Sequence, residues 1–448
     1  MDSPLPTAVP SKLISKSAHA ERNQLSDGDR AAHAWYRFVL SFPPHLVRHY
    51  LREFKVTKRH RVLDPFCGTG TTLVECRKLG IRSVGIEPNP MAFFASSVKV
   101  DWSASPSGLV SHAQRVADAA VQQLRKQGIR DEEGFFSLEV LRPVGQLRTL
   151  PPEAAKLLLA RSISPLPLHK TLVLLERLNA MRRPAYERYE RLALASALVN
   201  DISNLHFGPE VGVGPPKKDA MVTPAWLSWV RRIANDLGEL QRVSAAPVDL
   251  HCADSRHMVG LLHGRCIDAV ITSPPYPNEK DYTRTTRLES VLLGFLQDKL
   301  DLRRLKENLL RSNTRNVFKG DDDDRFVMGH REIERIANAI ERRRQELGKT
   351  SGFERLYHRV ARLYFGGMFR HFADLRTLLR PGANLAYVVG DQASYLRVMI
   401  RTGELIADIA QSLGYELVRI DLFRTRLATA TREQLREEVV ILRWPVKN

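Results

Sequence analysis

Short apolar blocks bounded by turn residues recur along this chain, separated by longer stretches with helical spacing. Arg61-Val62-Leu63-Asp64 predicts a strand that runs into a Gly-rich turn. Thr71 to Leu79 predicts a helix closed by Gly80, and Ser83 to Glu87 predicts a second strand. Strand, turn, helix and strand in that order form the unit of a doubly wound α/β sheet. Further buried-strand patterns occupy Val248–Asp254, Ile267–Thr272 and Asn384–Asp391, the last after a turn at Leu379-Arg380-Pro381-Gly382-Ala383. Glu416–Asp421 and Glu438–Arg443 read as hairpin-like edge strands. The expected architecture is a Rossmann-like sheet of seven strands, six parallel and one returning.

Between these strands the pattern is mainly helical. Residues 31–100, 246–280 and 362–448 read as three pieces of one core, with helical insertions at 101–245 and 281–361. The first insertion contains an amphipathic helix at about Pro224–Leu240 and a Gly/Pro stretch, Phe207 to Lys218, that reads as a loop. The second carries Asp321-Asp322-Asp323-Asp324 among many arginines, read as a solvated loop. Residues 1–30 are rich in Ser, Pro and charge, lack an apolar leader core, and read as a loose tail.

Charge sharpens this picture. Lys plus Arg total 68 and Asp plus Glu 50, so the formal charge is 68 − 50 = +18. That excess suits a polyanionic partner, because each neutralised phosphate releases counterions. No run approaches the roughly 18 apolar residues of a membrane span. The four cysteines, Cys67, Cys76, Cys252 and Cys266, form no Cys-x-x-Cys pair, and no metal site is expected. A reduced, cytoplasmic setting is the simplest account.

Asp64-Pro65-Phe66-Cys67-Gly68-Thr69-Gly70-Thr71 has the chemistry of a cofactor loop. Gly68 and Gly70 let a ligand approach the backbone, and the helix starting near Thr71 favours an anionic group at its N-terminus. Glu87 ends the next strand about 20 residues on, the expected place for an acid gripping ribose hydroxyls. Asp254, followed by Ser255, ends the third strand and can accept from an adenine amine. Leu73 stands where a dinucleotide fingerprint needs Gly, and no Gly-Lys-Ser/Thr phosphate loop occurs. These features point to a nucleoside cofactor.

Ser273-Pro274-Pro275-Tyr276 closes the Ile267–Thr272 block. An exocyclic amine on a base is a poor nucleophile because its lone pair is delocalised. Two acceptors, the Ser273 hydroxyl and the Pro274 carbonyl, can orient it. The two prolines stiffen the turn and remove N–H donors, and Tyr276 can stack on a base flipped from its helix. Methylation at cytosine carbon 5 needs a Cys nucleophile. Neither Pro-Cys nor Glu-Asn-Val occurs, and Cys67 reads as a packing residue.

With these residues the chain resembles the S-adenosylmethionine-dependent amino-methyltransferases of DNA, especially the N4-cytosine group that typically carries Ser-Pro-Pro-Tyr. Asp64 to Thr71 is similar to the family's first motif, Glu87 to its ribose acid and Asp254 to its adenine contact. Ser41-Phe42-Pro43-Pro44-His45-Leu46-Val47 resembles the motif that packs on the cofactor's methionine end. The chain departs from the family pattern in where its insertions fall. The resemblance implies S-adenosylmethionine as cofactor, duplex DNA as partner, and a setting with or without a companion restriction endonuclease. It leaves the oligomeric state open. Lys217, Lys218 and Arg315 are candidate DNA contacts, and Asn278, Lys280 and Tyr282 candidate pocket residues. Adenine-N6 methylation, RNA amino-methylation and a catalytically silent DNA-binding role remain alternatives.

Overall fold

A computed structural model describes residues 25–36, 41–132, 145–207, 211–243, 245–278, 280–427 and 434–446. In chain order the strands are β1 (Arg61–Asp64), β2 (Arg82–Ile86), β3 (Leu205–Phe207), β4 (Val211–Val213), β5 (Val248–His251), β6 (Ile267–Thr272), β7 (Leu379–Gly390), β8 (Glu416–Leu427) and β9 (Gln434–Arg443). Seven form one sheet in the order β5-β2-β1-β6-β7-β9-β8. Neighbours from β5 to β7 pair in parallel, and β9 runs antiparallel to both β7 and β8. Six strands therefore point one way and one returns, in the α/β arrangement the sequence predicts.

The central strands are apolar because both faces are covered. Leu63 packs with Val270, Leu385 and the helix Tyr357–Leu375 on one face. Val62 packs with Ala269, Ile271 and the helix Pro44–Glu53 on the other. Chain order reverses direction at β1, which pairs with β2 on one side and β6 on the other. The carboxyl ends of β1 and β6 therefore flank a crevice of the kind that binds ligands in open α/β sheets.

The insertions differ from expectation in three ways. The helices Pro106–Lys126, Pro165–Ala180, Pro184–Ala197 and Val222–Leu240 share one apolar core with Leu73, Val74 and Met91 of the sheet's own helices, so the 101–245 block is fused to the sheet. The Phe207–Lys218 stretch begins as a hairpin, with β3 and β4 paired antiparallel and residues 208–210 outside the described residues, and only residues 214–218 form the expected loop. A Cβ at Gly212 would fall 2.3 Å from the His206 ring, so this glycine serves strand pairing and not a loose loop. The expected boundary at 361 falls inside one helix, Tyr357–Leu375.

Two smaller corrections concern the core. Leu379 to Ala383 lies within β7 as a bulge, where pairing with β6 jumps from Leu379 to Asn384. Of the expected tail, residues 1–24 lie outside the described residues. Residues 25–30 are part of the fold: Asp29 is buried and Arg48 donates to it at 2.7 Å. Among the described residues, no helix is long and apolar enough to cross a membrane.

Candidate active site

A cavity of about 650 Å³ opens at the carboxyl ends of the parallel strands. Five strand-end loops line it. Phe66, Gly68, Thr69 and Thr71 follow β1, Glu87 follows β2, and Asp254 and Ser255 follow β5. Ser273, Pro274, Pro275 and Tyr276 follow β6, and Gln392 follows β7. Phe42, Asn278, Lys280 and Tyr282 also border it. The volume is within the usual range for a small-molecule site.

The first loop is shaped by a half-buried carboxylate. Glu87 accepts from the Gly68 N–H at 2.9 Å and the Asn89 N–H at 2.8 Å. Burial pushes Glu87 up to about 7, against the pull of those two N–H groups. Nothing lies within 4 Å of where a Gly68 Cβ would stand, so the space above the loop is open to a ligand. An open glycine, a carboxyl at the next strand end and the N-terminus of helix Thr71–Lys78 together fit a nucleoside with an anionic tail.

Three expected cofactor residues do not border this cavity. Asp64 is fully buried beneath the loop, where its Oδ1 accepts from the Thr272 hydroxyl at 2.6 Å and the Phe66 N–H at 3.2 Å. It ties the end of β1 to the end of β6, and burial pushes its carboxyl up to about 6. Gly70 starts the helix with φ +87, and a Cβ there would meet the Ser96 Cβ at 3.0 Å. Pro44 borders a small separate crevice, together with Phe42, Thr69 and Thr71.

Asp254 reaches the cavity but is already engaged. Arg256 donates to both its oxygens, at 3.0 and 2.6 Å. Burial works against ionisation, yet hydrogen bonds from His257 and Arg256 hold the carboxyl well below its ordinary range. Arg256 also donates to Asp323 at 2.5 Å, and Arg370 donates to the other Asp323 oxygen at 2.5 Å. Asp321 takes both arms of Arg311 at 2.8 Å. The acid run is therefore only partly the solvated loop expected: Asp322 is exposed, whereas Asp321 and Asp323 anchor a buried ion-pair network. Its arginine partners, apart from Arg311, lie far off in sequence, so only the fold brings the network together. Among the described residues, no group of three or more His, Cys, Asp or Glu could hold a metal.

Phe66 packs against His371 with ring centroids 4.9 Å apart. His371 Nδ1–H donates to the Ser255 carbonyl at 3.0 Å, and its Nε2 accepts from the Tyr387 hydroxyl at 2.6 Å. Burial holds this imidazole neutral, down to about 4. His371 stands in no recognisable motif, so nothing in the chain pointed to it in advance.

The Ser273–Tyr276 turn lines the same cavity as the glycine loop. Ser273 Oγ donates to the Val388 carbonyl at 3.0 Å. The Tyr276 N–H donates to the Tyr282 hydroxyl at 3.4 Å, and the Tyr276 ring lies 3.0 Å from where a Gly390 Cβ would be. Asn278 Oδ1 accepts from the Lys280 N–H at 2.9 Å and fixes the next turn. Other parts of the wall include Leu309, Leu310 and Ser312 of the second insertion and Arg424 and Glu437 of β8 and β9, which motif reading missed, and Asn316 of the second insertion. Asn89 was also missed, although Asn before Pro is a helix-start signal. It caps Pro90–Lys99 by accepting from the Met91 N–H at 3.0 Å.

The basic candidates lie elsewhere. Lys217 Nζ donates to the Asp201 carbonyl at 2.6 Å, Lys218 is exposed, and the Arg315 guanidinium sits 5.7 Å from the Phe353 ring centre. None of the three borders the cavity.

Comparison with known proteins agrees with this geometry. A family model described as DNA methylase matches residues 10–94, which include the first cofactor loop and Glu87 but stop before Ser273. The type II methyltransferase M.BsoBI of Geobacillus stearothermophilus is 26% identical over 473 aligned positions, spanning 96% of this chain and 86% of that protein. M.AvaI of Nostoc sp. PCC 7120, also a type II methyltransferase, is 23% identical over 97% of this chain and 89% of its own. M.MjaII of Methanocaldococcus jannaschii is 38% identical, but over only 17% of this chain. The two long alignments cover nearly the whole of this chain, insertions included.

Proposed function

We propose a specific reaction for this DNA amino-methyltransferase: methylation of the exocyclic N4 of cytosine in duplex DNA, on a base flipped into the cavity. One observation carries the reading. Ser273-Pro274-Pro275-Tyr276, the form of the motif that the N4-cytosine group typically carries, borders the same cavity as the loop made by Gly68, Thr69 and Glu87.

S-adenosylmethionine, the methyl donor, supplies an electrophilic methyl on a positively charged sulfur. Glu87 would take the ribose hydroxyls, Phe42 would pack on the methionine end, and the helix start at Thr71 would face the methionine carboxylate. Asp254 would meet the adenine amine with its position fixed by Arg256. The Ser273 hydroxyl and the Pro274 carbonyl hold the cytosine amine so that its lone pair points at the methyl group. Tyr276 stacks on the flipped base. This direct transfer needs no metal and no covalent intermediate. Kinship with proteins named type II methyltransferases favours a defined recognition site and a companion restriction endonuclease.

The test is to incubate the protein with labelled S-adenosylmethionine and mixed-sequence duplex DNA, with bulk RNA in parallel, then digest and identify the methylated nucleoside by mass spectrometry. N4-methylcytosine in DNA is expected. N6-methyladenine would overturn the base assignment, and label in RNA alone would overturn the substrate.

A further inference from the structure

We propose that Asn316 reads the acceptor edge of the target base, N3 and O2 of cytosine. The proposal rests on the cytosine reading above and extends it to a residue of the second insertion.

Asn316 ends the short turn Thr314–Asn316 and is 1% exposed, yet it borders the cavity that holds Ser273 and Tyr276. Both its Oδ1 and its Nδ2 lack a partner among the described residues. Its neighbours differ in this respect. Arg311 is clasped by Asp321. Asn313 donates to the Lys280 carbonyl at 3.0 Å and accepts from the Arg315 N–H at 3.0 Å. A buried carboxamide with unmet donors is costly, and acceptors on a ligand in the cavity can satisfy its Nδ2 hydrogens.

Hydrogen-bond complementarity selects the ligand edge. When the amine hydrogens of cytosine point to Ser273 Oγ and the Pro274 carbonyl, the edge left over is N3 and O2, both acceptors. The Asn316 amide carries two N–H donors and can serve both. Adenine offers N1 and then a C–H, which leaves one buried donor unmet. A site built to hydrogen-bond one base rejects another that cannot answer it.

The experiment compares the wild-type chain with Asn316→Ala and the isosteric Asn316→Asp. Initial rates are measured on limiting mixed-sequence duplex DNA with labelled S-adenosylmethionine, and products are identified as nucleosides. Cofactor binding and thermal melting are measured in parallel. The expected result is normal folding and cofactor affinity, with N4-methylcytosine formation down about 10- to 100-fold in Asn316→Ala. Asn316→Asp should fall further, because its carboxylate faces two acceptors, and the share of N6-methyladenine should rise in both. Wild-type rates and product ratio in both variants would overturn the proposal. So would a loss matched by lost cofactor binding, which would mark Asn316 as purely structural. Wild-type protein that makes only N6-methyladenine would bring down the cytosine reading along with it. Full-rate variants of a wild type that makes N4-methylcytosine would sink the Asn316 assignment alone.

Discussion

Ser273 has one hydroxyl proton, and the fold commits it to the Val388 carbonyl. What the oxygen still offers the cavity is lone pairs, which is what an amine donating hydrogens needs. Ser273→Ala should therefore lower the single-turnover methylation rate about 10- to 100-fold and leave cofactor affinity unchanged; full turnover would remove the hydroxyl from the mechanism. Glu87 gives a second handle, because burial places its titration near 7 in the free protein. Ribose hydroxyls donate to the ionised carboxylate, so binding lowers its pKa. Above about pH 7 the group is already ionised and affinity should be level. Below it a proton must leave first, and affinity should weaken about tenfold per pH unit. Calorimetric titration with S-adenosylmethionine across that range checks the sign. Glu87→Gln should bind more weakly with a flat profile, whereas a flat profile in the wild type would count against the ribose role.

At the scale of elements, the cavity wall depends on how the second insertion is fastened to the sheet. Asp323 receives Arg256 and Arg370, and its carbonyl oxygen lies 1.9 Å from where a Gly366 Cβ would stand. Helix Tyr357–Leu375 therefore touches the acid run with bare backbone at that point. Asp323→Asn leaves two guanidinium groups short of a carboxylate at a buried site and should cost about 3–5 kcal/mol in denaturant unfolding. Gly366→Ala should cost about 1–3 kcal/mol or more by overpacking. If both variants unfold like wild type, the network is not what fastens the insertion. This is also where the sequence stopped being legible. The central strands β1, β2 and β6 could be read because each is a short apolar block buried on both faces, and the glycine loop and Ser273–Tyr276 because their chemistry is local. The Asp323 contacts to Arg256 and Arg370 span 67 and 47 residues, and β3 and β4 are too short to show a period. The same limit explains why Asp64 looked like a cofactor contact: its residue type fits, but the partner that buries it, Thr272, stands 208 residues away.

The whole molecule presents a +18 formal charge to its surroundings, yet the candidate DNA contacts Lys217, Lys218 and Arg315 do not line the cavity, which Lys280 and Arg424 border. The lining acids are committed as well: Glu87 binds backbone N–H groups, and Asp254 binds Arg256. On the proposed reading most of the charge and the chemistry are separated, the basic exterior serving phosphates and the cavity the reacting groups. The two should respond differently to salt. DNA binding driven by counterion release weakens linearly in log–log terms, and about 6–10 phosphate contacts would cost at least a thousandfold in affinity between roughly 50 and 200 mM salt. S-adenosylmethionine carries little net charge and enters a shielded site, so its affinity should change less than about threefold over the same range. Fluorescence anisotropy with a mixed-sequence duplex, and calorimetry with the cofactor, measure the two slopes on one preparation. A shallow DNA slope would show that the surplus charge is spread for solubility and not gathered on a binding face. A steep cofactor slope would mean that the cavity is more open to ions than its buried carboxyls imply.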